Sequence, residues 1–291
     1  MPKRLTSITV LLAVGIWATA LPSRGQALLP YSIQLDNQVL EEQGLRLGQD
    51  AVRLLRFGRN EPALARALLA SQLAPRRFQS WFILGSVYVQ QRQFDQAIAA
   101  LQRAKTLAPN EAPILFTLGS ARFQTGDYQG AIAELSAGLE LRPEAVDAWF
   151  DLGNAYLMRR QYPEAINSYE RAYSLERNFW PALTNIGLVL YEQGNVSGAI
   201  ERWQASVAID RDAVEPQIAI AIALYSRGEQ ERGITLGTSA LKSDPRYAEL
   251  DFLRQNLWGD KLINDARQFL SLPAIRTAIR QAQRGTNQAI P

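Results

Sequence analysis

The sequence predicts an all-α fold in which short antiparallel helix pairs stack side by side into a solenoid, with capping helices at the C-terminal end. Two observations carry this. Residues recur at an interval of 34: Ala63, Ala97, Ala131, Ala165, Ala199 and Gly233 share one grid, and Pro75, Pro109, Pro143 and Pro245 share another. Within one interval the apolar residues have helical spacing. Trp81, Leu84, Gly85 and Tyr88 stand at i, i+3, i+4 and i+7, and Ala97, Leu101 and Ala104 form a second stripe after a break at Gln93 to Asp95. That spacing keeps side chains on one face of a helix turning about 100° per residue. One such pair has too little apolar surface for a core of its own, so neighbours must share one and the pattern repeats.

At the N-terminus, Lys3 and Arg4 precede an apolar run, Ile8 to Leu21, followed by Pro22 and the small-residue stretch Gly25-Gln26-Ala27. Residues 1–27 therefore read as a signal peptide cleaved after Ala27, or as an uncleaved anchor, because the run also approaches the short limit for a membrane span. Either way the basic end stays in the cytoplasm and the repeats emerge in a periplasm or a lumen. Residues 28–43 form an entry segment, extended at Leu28-Leu29-Pro30 and helical from about Asp36.

Six units follow: 44–77, 78–111, 112–145, 146–179, 180–213 and 214–247. The first is degenerate, with Leu47, Asp50 and Ala51 where the next has Trp81, Leu84 and Gly85. An atypical end unit is expected of a solenoid, since one side of it meets water. Arg122 replaces the expected tyrosine in the third unit, and Arg177 and Arg211 take proline places. In the sixth unit Gly233 and Gly237 weaken the second helix by about 1 kcal/mol each relative to alanine, which predicts looser packing there.

Beyond Tyr247 the grid stops and a C-terminal cap, 248–284, begins. Leu250, Leu253 and Leu257 extend one stripe, Trp258-Gly259 breaks it, and Leu262, Ile263, Ala266, Phe269 and Leu270 start another. This second stripe reads as a helix covering the exposed face of the last unit. After Ser271 and Pro273 a short helix carries Arg276, Arg280 and Arg284 on one stripe. Such a stripe is either a solvated face or a contact for an acidic partner or lipid headgroups. From Gly285 the tail is expected to be loose.

The order Trp-x2-Leu-Gly-x2-Tyr, then Ala-x3-large apolar, then Pro, repeated every 34 residues from Gly44 to Tyr247, resembles the tetratricopeptide repeat (TPR) family. The resemblance implies a right-handed superhelix whose first helices line a concave groove for a segment of another protein. The single apolar N-terminal stretch and the ending Leu257-Trp258-Gly259 through Leu272-Pro273 are also similar to Pitt-type, thylakoid-associated TPR proteins of cyanobacteria and chloroplasts. That similarity implies photosystem components or a chlorophyll-pathway enzyme as partners, and an anchoring role for the apolar stretch.

Residues one step past the packing stripe point about 100° away from it on each first helix. They are Phe82, Ser86 and Val89; Phe116, Ser120 and Phe123; Phe150, Asn154 and Leu157; Thr184, Leu188 and Tyr191; Ile218, Ile222 and Tyr225. The resemblance places these columns in the groove. Phe82, Phe116 and Phe150 would then form an aromatic ladder, or they fill the gaps between neighbouring units, as aromatic stripes more often do. Asp151, Asn154 and Asn185 add polar groups suited to recognising a peptide main chain. The lysine and arginine clamp with which some TPR adaptors hold a terminal carboxylate has no counterpart, because those columns carry Phe82, Ser86 and Thr117.

Composition narrows the chemistry. Cysteine and histidine are both absent, which removes disulfides, thiol chemistry, the usual zinc, haem and copper ligands and the commonest general base. No cofactor and no metal are expected. The formal charge of +3 comes from Lys3, Arg4 and Arg24; the other 28 basic residues match the 28 acidic ones, so nucleic acid is not an expected partner. The glycines at 119, 126 and 130 lack a following Lys-Ser/Thr pair and read as turn residues rather than a phosphate loop. A carboxylate pair for a hydrolase or transferase on envelope polymers could be drawn from among Asp147, Asp151 and Glu192, but nothing in the sequence sets their separation. The sequence thus predicts a non-catalytic protein-binding scaffold or assembly factor, with a permanent structural subunit of an envelope complex as the alternative.

Overall fold

A computed structural model describes residues 36–288, with side chains as far as residue 282. The signal-peptide or anchor reading of residues 1–27, the membrane run 8–21, the extended lead at 28–30, the side chain of Arg284 and residues 289–291 lie outside the described residues. Among the described residues there are helices and turns but no strand, and no helix is long and apolar enough to cross a membrane.

Twelve helices pair as six hairpins. They are α1 (Asn37–Arg56) with α2 (Asn60–Leu73), α3 (Phe78–Gln90) with α4 (Phe94–Leu107), α5 (Ala112–Gln124) with α6 (Tyr128–Leu141), α7 (Val146–Met158) with α8 (Tyr162–Leu175), α9 (Trp180–Glu192) with α10 (Val196–Ile209), and α11 (Val214–Ser226) with α12 (Gln230–Ser243). A helix-ending turn recurs within each hairpin. Gly58, Arg92, Gly126, Arg160, Gly194 and Gly228 all have positive φ, between 58° and 93°, at one position in each hairpin. In the second hairpin Arg92 N–H donates to Val89 O and Gln93 N–H to Tyr88 O, at 2.9 Å each. This is the left-handed ending that satisfies the last carbonyls of a helix.

Within a hairpin, a missing side chain on the first helix makes room for a large one on the second. A Cβ on Gly85, Gly119, Gly153 or Gly187 would come within 2.7 Å of Leu101, Leu135, Tyr169 or Trp203, respectively. In the sixth hairpin the relation is reversed: Ala221 faces Gly237, and the vacated space holds the ring of Phe269 from the C-terminal segment. The expected loosening at Gly233 and Gly237 is therefore corrected. Both glycines are buried; a Cβ on Gly233 would come 2.7 Å from Ala221 O, and one on Gly237 would come 2.5 Å from Phe269. They permit close approach and cost no packing.

Successive first helices touch directly, α1 with α3, α3 with α5 and α5 with α7, a closeness the second helices do not match. The first helices accordingly form the inner, concave wall of the stack. After α12 come a 3-10 turn (Pro245–Ala248), α13 (Leu250–Gln255), α14 (Asp260–Leu270) and α15 (Pro273–Gln288). The expected arrangement of the cap is corrected in two ways. It is α15 that covers the edge of the last hairpin where a further unit would dock: it packs on α12 as the first helix of such a unit would, burying Ile275 and Ala278. α14 turns inward and packs on α9 and α11. In addition, α15 continues through Gly285 to Gln288 where a loose tail was expected. One glycine lowers helix propensity by about 1 kcal/mol but does not end a helix.

Candidate functional site: the concave wall

Among the described residues nothing covers the concave wall on α3, α5 and α7, whereas its part on α9 and α11 is covered by α14. In the open part Phe82, Phe116 and Phe150 are half-buried, so the two readings of the aromatic column merge. Phe82 packs on the cluster of Ala97, Leu101, Leu118 and Ala121. The Phe116 ring lies over Gly138, where an added Cβ would come 2.5 Å from it. Phe150 meets Tyr169 and Phe179, at centroid separations of 5.6 and 5.3 Å. Each ring thus closes a seam and keeps an edge on the wall. Ser86, Val89, Ser120 and Phe123 are half-buried beside them, and the Ser86 hydroxyl is turned onto its own helix, donating to Phe82 O.

The polar set predicted for peptide recognition is used differently. Asn154 Oδ1 accepts hydrogen bonds from Tyr169 Oη (2.8 Å) and from Asn185 Nδ2 (2.9 Å), a network that joins two hairpins. Asn185 is buried, so both asparagines are committed to the stack. Asp151, half-buried on the same wall, is not in that network. Desolvation, with Asp147 adding its charge, pushes its carboxyl up to about 6.

Leu188 and Tyr191 are buried, and so is Leu157 at the boundary. The column continues there, but α14 covers it. Tyr191 Oη donates to Asp265 Oδ2 at 2.6 Å, and Lys261 Nζ stands 5.0 Å from the Tyr191 ring centre. Glu192 receives the N-terminus of α14, its carboxylate accepting from the backbone N–H groups of Lys261 (3.2 Å) and Leu262 (3.1 Å). An anion at a helix start satisfies free donors and opposes the positive end of the helix dipole. The Glu192 carboxyl group lies directly over Gly259, so a larger residue there would have to displace it from the start of α14. Trp258 Nε1 donates to Glu215 Oε1 at 2.9 Å, and desolvation raises the Glu215 carboxyl to about 7 despite that bond. Where α14 begins, a crevice of about 300 Å³ lies between Leu157, Met158, Leu257 and Ile263, rimmed by the exposed Arg160–Asp260 ion pair.

Glu192, Trp258, Gly259 and Phe269 are therefore the residues that divide the wall, a role that reading the sequence does not assign. The one signal for them is Gly237, which stands where the other units have Leu101, Leu135, Tyr169 and Trp203. On α15, Arg276 and Arg280 are exposed on the face opposite Ile275 and Ala278, and Arg280 donates to Thr277 Oγ1.

The outer wall has crevices too. The larger, about 940 Å³, lies between α10 and α12 over Ile220 and Leu224. An equivalent of about 620 Å³ lies between α6 and α8 over Leu152 and Tyr156. Trp149 and Gln217 occupy matching positions there and make the same bond, to Pro143 O and Arg211 O respectively.

Comparison with known proteins agrees with this geometry. The tetratricopeptide repeat family model matches residues 45–112 and 116–182. Among solved structures, the chain is similar to MamA (24% identity over 55% of this chain and 94% of that one, TM-score 0.53). It is similar to YrrB, described as a TPR protein with an unusual peptide-binding site (19% identity, 66% and 96%, TM-score 0.55). It is also similar to PilF of Pseudomonas aeruginosa (16% identity, 75% and 99%, TM-score 0.61). At these identities the likeness is one of fold. No curated protein gives a significant sequence match.

Proposed function

Because this chain belongs to the tetratricopeptide-repeat family, we propose that it is a non-catalytic scaffold that holds a segment of a client protein on the open concave wall of α3, α5 and α7. The observation that carries this reading is the run of half-buried aromatic edges Phe82, Phe116 and Phe150 along one wall. It supplies apolar surface already fixed in position, which lowers the cost of ordering on binding. The peptide-binding site described for YrrB supports the same use of the fold.

The scaffold acts after export, in assembly of a membrane complex of a thylakoid or an envelope, with residues 1–27 as its export signal or anchor. The basic start followed by an apolar run supports this setting. Photocrosslinking tests the groove directly. A photoreactive residue at Phe116 should capture a partner that one at the exposed Leu141 on α6 does not, and equal capture at both overturns the reading. N-terminal sequencing of the mature chain tests the setting: an intact Met1 in a chain recovered from the cytoplasm overturns it.

A further inference from the structure

Resting on the groove reading above, we infer that the open concave wall takes an amphipathic α-helix carrying lysine or arginine beside its apolar face. The first ground is continuity with an interface the chain already makes. α14 occupies the same wall one stretch further on, burying Leu262, Ile263, Ala266, Phe269 and Leu270 against α9 and α11. The wall there accommodates a helix, not an extended strand. The residues under α14 belong to the columns that continue into the open part: Tyr191 stands where Phe123 and Val89 stand in earlier units, and Leu188 where Ser120 and Ser86 do. α14 places both a cation and an acid on this column, Lys261 over the Tyr191 ring and Asp265 accepting from its hydroxyl, so the sign of charge in the open part is set by the wall itself.

The second ground is charge. α3 has no charged residue, α5 has only Arg122, and α7 has only Asp147 and Asp151. Arg122 is engaged by Asp127 (2.6 Å) and lies 3.9 Å from Glu134. The uncompensated charge of these three helices is therefore negative and concentrated on α7. Asp151 is half-buried, next to Asp147, and forms no ion pair among the described residues. A lysine or arginine brought against this pair gains attraction in a partly desolvated setting and relieves the repulsion between the two carboxylates. The crevice beside Leu157 and Ile263 leaves room for the end of such a helix to abut the start of α14.

The test uses the full chain and three synthetic peptides of about 20 residues, long enough for helix formation. The first two share the apolar spacing of α14 and differ only in lysine or glutamate beside the apolar face; the third is the lysine peptide with two central prolines, which break the helix. Binding is read by fluorescence anisotropy. The lysine helix should bind about tenfold more tightly than either of the others. In the Asp147→Asn/Asp151→Asn chain, checked for native circular dichroism, the preference for lysine over glutamate should fall below about threefold, as should the wild-type preference in high salt.

Equal binding of the lysine and glutamate helices, equal binding of the proline form, a preference that persists in the double variant, or no binding by any of the three overturns the inference. Photocrosslinking at Phe116 separates this from failure of the groove itself. Capture without the lysine preference keeps the groove and removes the helix, whereas loss of capture removes both.

Discussion

Arg92 and Arg160 occupy a backbone conformation that the other four hairpins give to glycine. A side chain in the left-handed region costs about 1 kcal/mol or more. Arg92→Gly should therefore raise the unfolding free energy by about 1 kcal/mol, seen as a higher urea midpoint. Arg160→Gly should gain less, because it also removes the exposed pair with Asp260, worth at most about 1 kcal/mol. Asp151 gives a prediction of opposite character. Its carboxyl is raised from an ordinary 3.8 to about 6, so its contribution to stability is full below 3.8 and is lost as pH rises through about 6. Asp151→Asn should stabilise the chain at pH 7 by on the order of 1–2 kcal/mol and flatten the melting temperature between those pH values. At this scale the sequence was partly legible. The period places Gly153 and Tyr169 on the positions of Gly85 and Leu101, but that they face each other across the hairpin, and that Asn154 engages Asn185 across two hairpins, depends on how the helices cross, which no local pattern encodes.

At the scale of elements, helices α3 to α12 could be read from the grid, because each carries its own stripe and each break coincides with a turn. The stripe of α14 was equally legible, but its destination was not. An apolar face states that a helix must be buried without stating against what, and Leu262, Ile263, Ala266, Phe269 and Leu270 fit an end cap as well as an inner wall. What decides the matter is complementarity at a distance, the ring of Phe269 against Gly237. Phe269→Ala should cost about 3–5 kcal/mol, the range for truncating a buried phenylalanine. The loss should appear as faster hydrogen exchange in α11, α12 and α14, with α3 to α6 unchanged, as expected where each unit contacts only its neighbours. Glu192→Ala removes the acceptor for two backbone N–H groups at the start of α14 and should cost about 1 kcal/mol, typical of a lost helix cap. Its exchange signature should be confined to the beginning of α14 and the turn before it.

In the described stack two raised carboxyls act on stability in the sense opposite to Asp127 and Asp244, which hydrogen bonds from Gly130 N–H and from Arg246 hold below the usual carboxylate range. Glu215, half-buried beneath Trp258, is raised from 4.5 to about 7, and Asp151 to about 6. Both groups favour the folded state when protonated, so these two contributions shrink as pH rises from about 4 to 7. Glu215→Gln should recover most of the loss in the C-terminal part, provided the amide still accepts from Trp258, and a melting curve followed by Trp258 fluorescence would show it.

The position of α15 bears on how long such a protein can grow. Arrays of identical hairpins have no intrinsic stopping point, and duplication within the gene can lengthen them at either edge. Here the docking surface that an added seventh hairpin would require is already taken by α15, and the sixth hairpin depends for its interior on Phe269, a residue encoded after it. Any insertion behind Tyr247 would have to dislodge both at once, whereas one placed among the earlier hairpins would not. The downstream limit is thus enforced from within, and an added hairpin is accommodated more readily among the earlier ones than behind the sixth.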